Sequence, residues 1–169
     1  RLRNYKIEDV LSQSSVTTIT QDADGFMWFG TRDGLNRFDS RRFKTYRTIK
    51  GDTTSLASNE INCLSTDNKN RLWIGTRRGL HVYNKVTDAF SRVSLTLPGE
   101  GYAPLESIRG LLCDSNGRLW VLSGTRVFVS KKENSEFFEL IEIQSNAGNG
   151  ERKSVMRNMS HSSTAMISK

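Results

Sequence analysis

Residues 67–76 read Asp-Asn-Lys-Asn-Arg-Leu-Trp-Ile-Gly-Thr. Two other stretches repeat the pattern. Residues 22–31 read Asp-Ala-Asp-Gly-Phe-Met-Trp-Phe-Gly-Thr, and residues 114–121 read Asp-Ser-Asn-Gly-Arg-Leu-Trp-Val. Trp28, Trp73 and Trp120 lie 45 and 47 residues apart, and Asp22, Asp67 and Asp114 keep both spacings. These are all the tryptophans in the chain, and every one falls at the same place in the pattern. Phe38, Tyr83 and Phe128 follow at intervals of 45 and 45, and Phe43, Phe90 and Phe137 at 47 and 47. A fixed period of this length marks a repeat architecture.

Each repeat resolves into four short strand-like runs. The first is apolar with partial alternation: Val16 to Thr20, Ile61 to Ser65 and Ile108 to Leu112. A polar turn follows, with Asp24-Gly25 in the first copy and Asn116-Gly117 in the third, both strong hairpin signals. The second copy has Lys69-Asn70, where Asn tolerates a positive φ. The second run carries the tryptophan: Phe26 to Thr31, Arg71 to Thr76 and Arg118 to Leu122. Gly34, Gly79 and Gly124 mark the next turn. The third run is Leu35 to Phe38, Leu80 to Tyr83 and Thr125 to Val129. The fourth is Arg42 to Arg47, Ala89 to Val93 and Glu136 to Ile141. The third copy has no Trp-x-Gly-Thr element, so a shorter, differently shaped loop is expected after Trp120. No segment has helical periodicity with caps.

Four strands per roughly 45 residues predict an all-β fold of β-propeller blades. A four-stranded blade cannot bury both faces alone, so a neighbouring blade must supply the missing surface. Trp28, Trp73 and Trp120 are expected between blades, with Gly30 and Gly75 allowing close backbone approach beside the large ring. Blade 1 is assigned to residues 11–51, blade 2 to 52–100 and blade 3 to 101–143. Residues 1–10 read as an additional strand of the kind that closes a propeller. Residues 144–169 read either as a linker and the start of a fourth blade, with its first strand near Thr164 to Ile167, or as a disordered tail. Seven blades would need roughly 315 residues, so the 169 present form an incomplete propeller of about three blades.

Composition excludes several classes. The chain is 36% hydrophobic, and no window holds 18 consecutive apolar residues, so no membrane-crossing helix is expected. Two cysteines exclude a disulfide scaffold. Cys63 and Cys113 fall at different repeat positions, on opposite strand faces, and both read as small core residues. The net charge of +7 has no helix or aromatic platform to organise it for nucleic acid.

The residues carry a resemblance. Leu72-Trp73-Ile74-Gly75-Thr76 with Gly79-Leu80 and Tyr83, and Met27-Trp28-Phe29-Gly30-Thr31 with Gly34-Leu35 and Phe38, resemble the two-component regulator propeller repeat. The preceding Leu-Ser-x-x-x-Val element matches the linker of that family. The resemblance covers about residues 3–141, strongly in two repeats and more weakly in the third. It implies the N-terminal part of the first propeller in the periplasmic sensor region of a hybrid two-component histidine kinase of Bacteroidetes. Such proteins add a dimerising domain, a membrane helix and a kinase, and many respond to oligosaccharides to control polysaccharide-utilisation genes. It therefore implies an oligosaccharide or other small ligand, anionic groups among the candidates. It also implies homodimerisation and membrane attachment through other domains of the parent protein, no cofactor, and no catalytic residue in this segment.

The site residues come from topology. In an up-and-down blade the turn between the second and third strands lies at the same end as the inter-blade linker. One rim should therefore collect Arg32, Arg77, Arg78, Ser58 and Asn59. Arginine forks suit carboxylate or sulfate groups; the alternative is a solvated turn whose charges only confer solubility. Asp22, Asp67 and Asp114 read as turn-forming residues rather than metal ligands, because the segment after Asp22 is a strand and no calcium-loop glutamate follows. His81, aligned with Asn36 and Arg126, reads as solvent-facing. The rival readings are a propeller enzyme of the lyase or quinone-dependent dehydrogenase type, and a protein-binding scaffold.

Overall fold

The computed structural model describes residues 11–94, 96–97, 101–102, 107–130 and 138–141. The expected strand in residues 1–10 and the reading of residues 144–169 lie outside them. The described residues contain no helix and form three four-stranded antiparallel sheets. The first sheet is β1 (Val16–Gln21), β2 (Met27–Thr31), β3 (Gly34–Phe38) and β4 (Phe43–Tyr46). The second is β5 (Ile61–Thr66), β6 (Leu72–Thr76), β7 (Gly79–Asn84) and β8 (Ala89–Val93). A two-stranded hairpin, β9 (Thr96–Leu97) and β10 (Gly101–Tyr102), comes next; the repeat gave no sign of it. The third sheet is β11 (Ile108–Cys113), β12 (Leu119–Ser123), β13 (Arg126–Ser130) and β14 (Phe138–Ile141). Strand order within each four-stranded sheet follows the chain, as in a propeller blade.

The turn chemistry is local and recurs in every blade. The carboxylate of Asp22 accepts from the backbone N–H of Asp24 and Phe26; that of Asp67 accepts from Lys69 and Arg71, and that of Asp114 from Asn116 and Arg118. Asn70 takes the positive φ of 60° that the turn requires. The second carboxylate oxygen of each aspartate accepts the indole N–H of the tryptophan six residues on, at 2.7 to 2.9 Å. One residue thus closes the hairpin and fixes the ring that packs against the next blade.

The core lies between blades, in two clusters. Trp28 and Leu35 of the first blade pack against Leu56, Ile61, Leu64, Leu72, Ile74 and Phe90 of the second. Trp73 and Leu80 pack against Ile108, Leu119, Val121 and Phe128 of the third. Trp28 and Trp73 are fully buried or nearly so, whereas Trp120 is half-buried on the open face of the third blade. The role expected for Gly30 and Gly75 needs correcting. A Cβ on Gly30 would lie 2.7 Å from Ile61 Cγ2, and one on Gly75 would lie 2.6 Å from Ile108 Cγ2. The glycines make room for the paired side chain of their own blade, Thr18 or Cys63, and for the first isoleucine of the following blade, not for the tryptophan ring.

Two readings of the third blade are also corrected. Ser123 pairs with Arg126 just as Thr31 pairs with Gly34 and Thr76 with Gly79. The turn after the tryptophan strand therefore keeps its length, and Gly124 stands at the position of Arg32 and Arg77. Consequently Phe128 corresponds to Asn36 and His81, while Ser130 corresponds to Phe38 and Tyr83 and pairs with Phe138.

His81 is not solvent-facing. It and Asn36 are fully buried, because the inter-blade linker covers this part of the third strand. The Asn36 amide bonds Ser12 of one linker, and His81 Nε2 accepts the backbone N–H of Ala57 in the next at 3.2 Å. An accepting Nε2 belongs to a neutral imidazole with its proton on Nδ1. Burial, helped by the nearby charge of Arg92, lowers the His81 pKa to about 4 and keeps the ring neutral.

Candidate ligand-binding rim

Every turn between the second and third strands is tied by backbone hydrogen bonds to a linker. Gly34 N–H donates to Asn59 O at 2.8 Å, Arg77 N–H to Glu60 O at 3.1 Å, and Gly124 N–H to Ser107 O at 3.2 Å. The first two bonds bring the turns of blades 1 and 2 onto one linker. Between them lies an open recess of about 440 Å3, lined by Arg32, Thr48, Ala57, Ser58, Asn59, Glu60, Arg77 and Arg78. All five rim residues expected from the sequence line it. Thr48 and Glu60 were missed, although Glu60 follows Asn59 directly and its position in the linker could have signalled it.

The recess presents mainly hydrogen-bond donors. Asn59 uses its side-chain oxygen to accept Thr48 N–H at 2.7 Å, which leaves its NH2 as the group on offer. Ser58 Oγ accepts Glu60 N–H at 3.1 Å and keeps its own O–H to donate. Glu60 is the one carboxylate of the lining, and Arg77 pairs with it at 3.3 Å. Arg32 and Arg78 are exposed, and among the described residues neither guanidinium has an ion-pair or hydrogen-bond partner. Both turns are braced from the fourth strand side. Arg47 pairs with Asp33 at 2.9 Å, and Arg92 donates to Arg78 O at 3.0 Å. Three arginines against one glutamate leave an excess of two positive charges around the recess.

The two cysteines lie away from this rim. Both are free. Cys63 packs against the second core cluster, where burial pushes its thiol up to about 12, and Cys113 is half-buried. Among the described residues no group of three or more His, Cys, Asp and Glu side chains has the arrangement of a metal site.

Three comparisons bear on what such a rim belongs to. The two-component regulator propeller model matches residues 10–33, 55–78 and 103–125, one match in each blade. Three segments of the chain are thus similar to the two-component regulator propeller repeat. It is 57% identical over 49 residues to Histidine kinase P4 of Formosa agariphila, a stretch that is 29% of this chain and 4% of that protein. Its structure is similar to the extracellular domain of the hybrid two-component system BT3049 from B. thetaiotaomicron. The TM-score there is 0.64 at 33% identity, over 75% of this chain and 18% of that one. The fold alone is shared with virginiamycin B lyase from Staphylococcus aureus, at a TM-score of 0.56 and 14% identity, over 81% of this chain and 44% of the lyase. The chain thus spans a small part of each sensor relative. No helix among the described residues is long and apolar enough to cross a membrane.

Proposed function

We propose that this chain is part of the periplasmic, ligand-sensing propeller of a hybrid two-component sensor histidine kinase, and that the rim recess takes an anionic oligosaccharide. The observation that carries the reading is the donor-rich lining. Arg32, Arg78, Asn59 and Ser58 all offer donors, and the single carboxylate is already paired. Such a surface favours a ligand rich in acceptors, such as a uronate or a sulfated sugar. Charge-assisted bonds from arginine forks are the strong ones. Likeness to the extracellular domain of a hybrid two-component system and to a histidine kinase supports the sensor role.

In this reading the segment binds and does not catalyse. Ligand affinity that differs between two arrangements of the parent dimer shifts the kinase equilibrium. The dimer and the membrane helix belong to other parts of the parent protein, and the output is control of polysaccharide-utilisation genes. No cofactor or nucleic acid takes part in the step at this rim.

Calorimetric titration tests the assignment. Sulfated or uronate-bearing oligosaccharides should bind, and neutral ones of equal length should not. Replacing Arg32 or Arg78 by Ala should weaken binding roughly tenfold to a hundredfold, and added salt should weaken it further. Equal binding of neutral and anionic sugars, or indifference to both substitutions, would refute the recess as the site. Release of a cleaved product would favour the enzyme reading.

A further inference from the structure

Asn36 on β3 and His81 on β7 stand at one register and make one bond in common. Asn36 Oδ1 accepts the N–H of Ser12, and His81 Nε2 accepts the N–H of Ala57, each at 3.2 Å. Ser12 and Ala57 are equivalent linker positions, 45 residues apart. The surroundings of that bond differ. Asn36 also donates to Ser12 Oγ at 3.0 Å and accepts from Thr45 Oγ1 at 2.9 Å, so both ends of its amide are used. Ala57 has no hydroxyl, and Arg92 stands opposite His81 where Thr45 stands opposite Asn36. His81 Nδ1 is buried and has no hydrogen-bond partner among the described residues. The ring is therefore held by a single polar contact.

That contact falls at a particular point of the linker, which runs through residues 47–60 between β4 and β5. Thr54 O accepts Phe90 N–H at 2.8 Å, and the Asn59 and Glu60 carbonyls are tied to the turns. Between Thr54 and Asn59, among the described residues, the bond from His81 is the one that reaches the linker backbone from outside it. It lands on Ala57, which lines the rim recess beside Ser58 and Asn59. A buried ring with an unpaired N–H costs stability, and Phe128 at the same register of the third blade carries no such group. The polar side chains go with the arginine turns: Asn36 with Arg32, His81 with Arg77, and Phe128 with Gly124.

We propose that His81 is the positioning residue of the rim recess: from the buried side it fixes Ala57, and so sets where Ser58 and Asn59 present their donors to an anionic ligand. This rests on the reading of the recess as the binding site. The bond exists only for the neutral ring. A proton on Nε2 would set one N–H against another, and the linker would have to move away. The charged group acting on the ring is Arg92, on β8. Its other surroundings carry no charge at or below neutral pH: Ile74 on β6, Leu56 and Ala57 of the linker, and Trp28, Leu35 and Tyr46 of the first blade. Burial and Arg92 both disfavour the imidazolium, so the bond is intact at neutral pH and is lost as pH falls through about 4.

Three forms of the full chain test this. They are the parent, His81→Phe, which gives blade 2 the residue of blade 3, and His81→Asn with Ala57→Ser, which recreates the set seen at Asn36 and Ser12. At fixed pH the amide of residue 57 should exchange roughly tenfold faster in His81→Phe and regain its protection in the double variant. The binding probes are inorganic sulfate and a sulfated galactose tetrasaccharide free of uronate, whose charge does not change over the range used. Both should bind His81→Phe roughly threefold to tenfold more weakly than the parent, with recovery in the double variant. The parent should also lose affinity in acid relative to the double variant, by about twofold at pH 4 and about fourfold at pH 3.5. Glu60 is present in both forms, so its own titration cancels from that comparison. If His81→Phe does not fold, His81→Gln replaces it; its Oε1 accepts at every pH, so it should bind like the parent at pH 7 and lack the acid loss.

Unchanged exchange at residue 57 in His81→Phe, or parallel pH profiles of the parent and the double variant, would overturn the proposal. If Arg32→Ala weakens binding and His81→Phe does not, the recess stands and the positioning role falls. If the parent binds neither probe, the recess reading falls and takes the role in ligand binding with it, while exchange at residue 57 still decides whether His81 holds the linker.

Discussion

The junction between blades 1 and 2 and the junction between blades 2 and 3 are built on the same frame. Each has a buried tryptophan tied to an aspartate, and a glycine under the next isoleucine. Around that frame they differ. At the first junction Tyr83 meets Trp28 edge-on at 4.9 Å, and Tyr46 stacks on it at 5.8 Å. Arg37 lies over the Phe26 and Trp28 rings and donates to Tyr83 Oη at 2.9 Å. Asp88 of the second blade accepts from Tyr46 at 2.7 Å and from Lys44, both in the first blade, and from its own blade's Tyr83 at 2.6 Å. At the second junction the positions of Arg37 and Tyr46 are taken by Val82 and Val93, which pack against Ile108 and its neighbours. Residues locked to the repeat make any two blades adhere. Residues that vary can decide which blade sits next to which, since among the described residues nothing corresponds to the Asp88 cluster at the other junction.

The largest expected effect probes the shared frame. Trp28→Ala and Trp73→Ala should each cost about 3–5 kcal/mol in urea unfolding, as deletions of buried large aromatics do. Trp120→Ala should cost clearly less, because its ring lies half-buried on the open face. If Trp28→Ala costs much more than Trp73→Ala, the aromatic cluster and the tryptophan act as one unit and the two junctions are not built on a common frame.

Where the sequence was legible, it was legible through recurrence. Three tryptophans, three aspartates and the paired glycines stand at fixed spacings, and those residues build the strands and the cores. The rim was legible for a topological reason: in any up-and-down blade the Arg32 and Arg77-Arg78 turns must lie beside the linker that holds Ser58 and Asn59. The tie between aspartate and indole was missed, although the constant six-residue spacing in all three copies was a signal for it. His81 and Asn36 were misjudged because polarity on a strand was read as exposure. In a stacked blade both faces are covered, and a buried polar group there pins a linker instead. The register of the third blade was hidden because Gly124 occupies a turn position and Leu122 a glycine position. Spacing alone could not separate a displaced glycine from a deleted pair of residues.

A middle-sized effect tests whether the glycines act alike at the two junctions. A methyl on Gly75 would run into Cys63 Sγ and Ile108, and one on Gly30 into Thr18 and Ile61. Each Gly→Ala change should cost about 1–3 kcal/mol by overpacking. Ile108→Val should restore part of the loss in the Gly75→Ala background, and Ile61→Val part of it in Gly30→Ala. Gly110→Ala is the control, with its new methyl at an ordinary 3.5 Å from Leu122. It should change stability by no more than about 0.5 kcal/mol. A Gly110 variant as damaged as Gly75→Ala would mean that backbone freedom, not space for isoleucine, selects these glycines.

The smallest effect isolates the cluster that distinguishes the junctions. Burial alone would raise the Asp88 carboxyl, but hydrogen bonds from Lys44, Tyr83 and Tyr46 outweigh it and hold the pKa at about 2. The unfolded carboxyl titrates near pH 4. The unfolded state therefore binds more protons between these values, and stability falls as pH drops from about 4 to about 2. Above pH 4 the contribution is complete. Asp67 and Asp114, whose carboxyls are also held low, contribute to the loss of stability in acid as well. The readout is therefore the difference between parent and Asp88→Asn, not the acid slope itself. That difference should be constant from pH 5 to 8 and shrink toward zero near pH 2. It should be modest, because the Asp88 side chain is 36% exposed and solvent screens its pairs with Arg37 and Lys44. Arg37→Met should remove only part of it, since Lys44 and the two tyrosines still hold the carboxylate. A difference that persists unchanged to pH 2 would show that Asp88 acts by shaping its turn, where it holds a positive φ of 53°, and not by its charge. The first junction would then owe its distinct character to the aromatic rings alone.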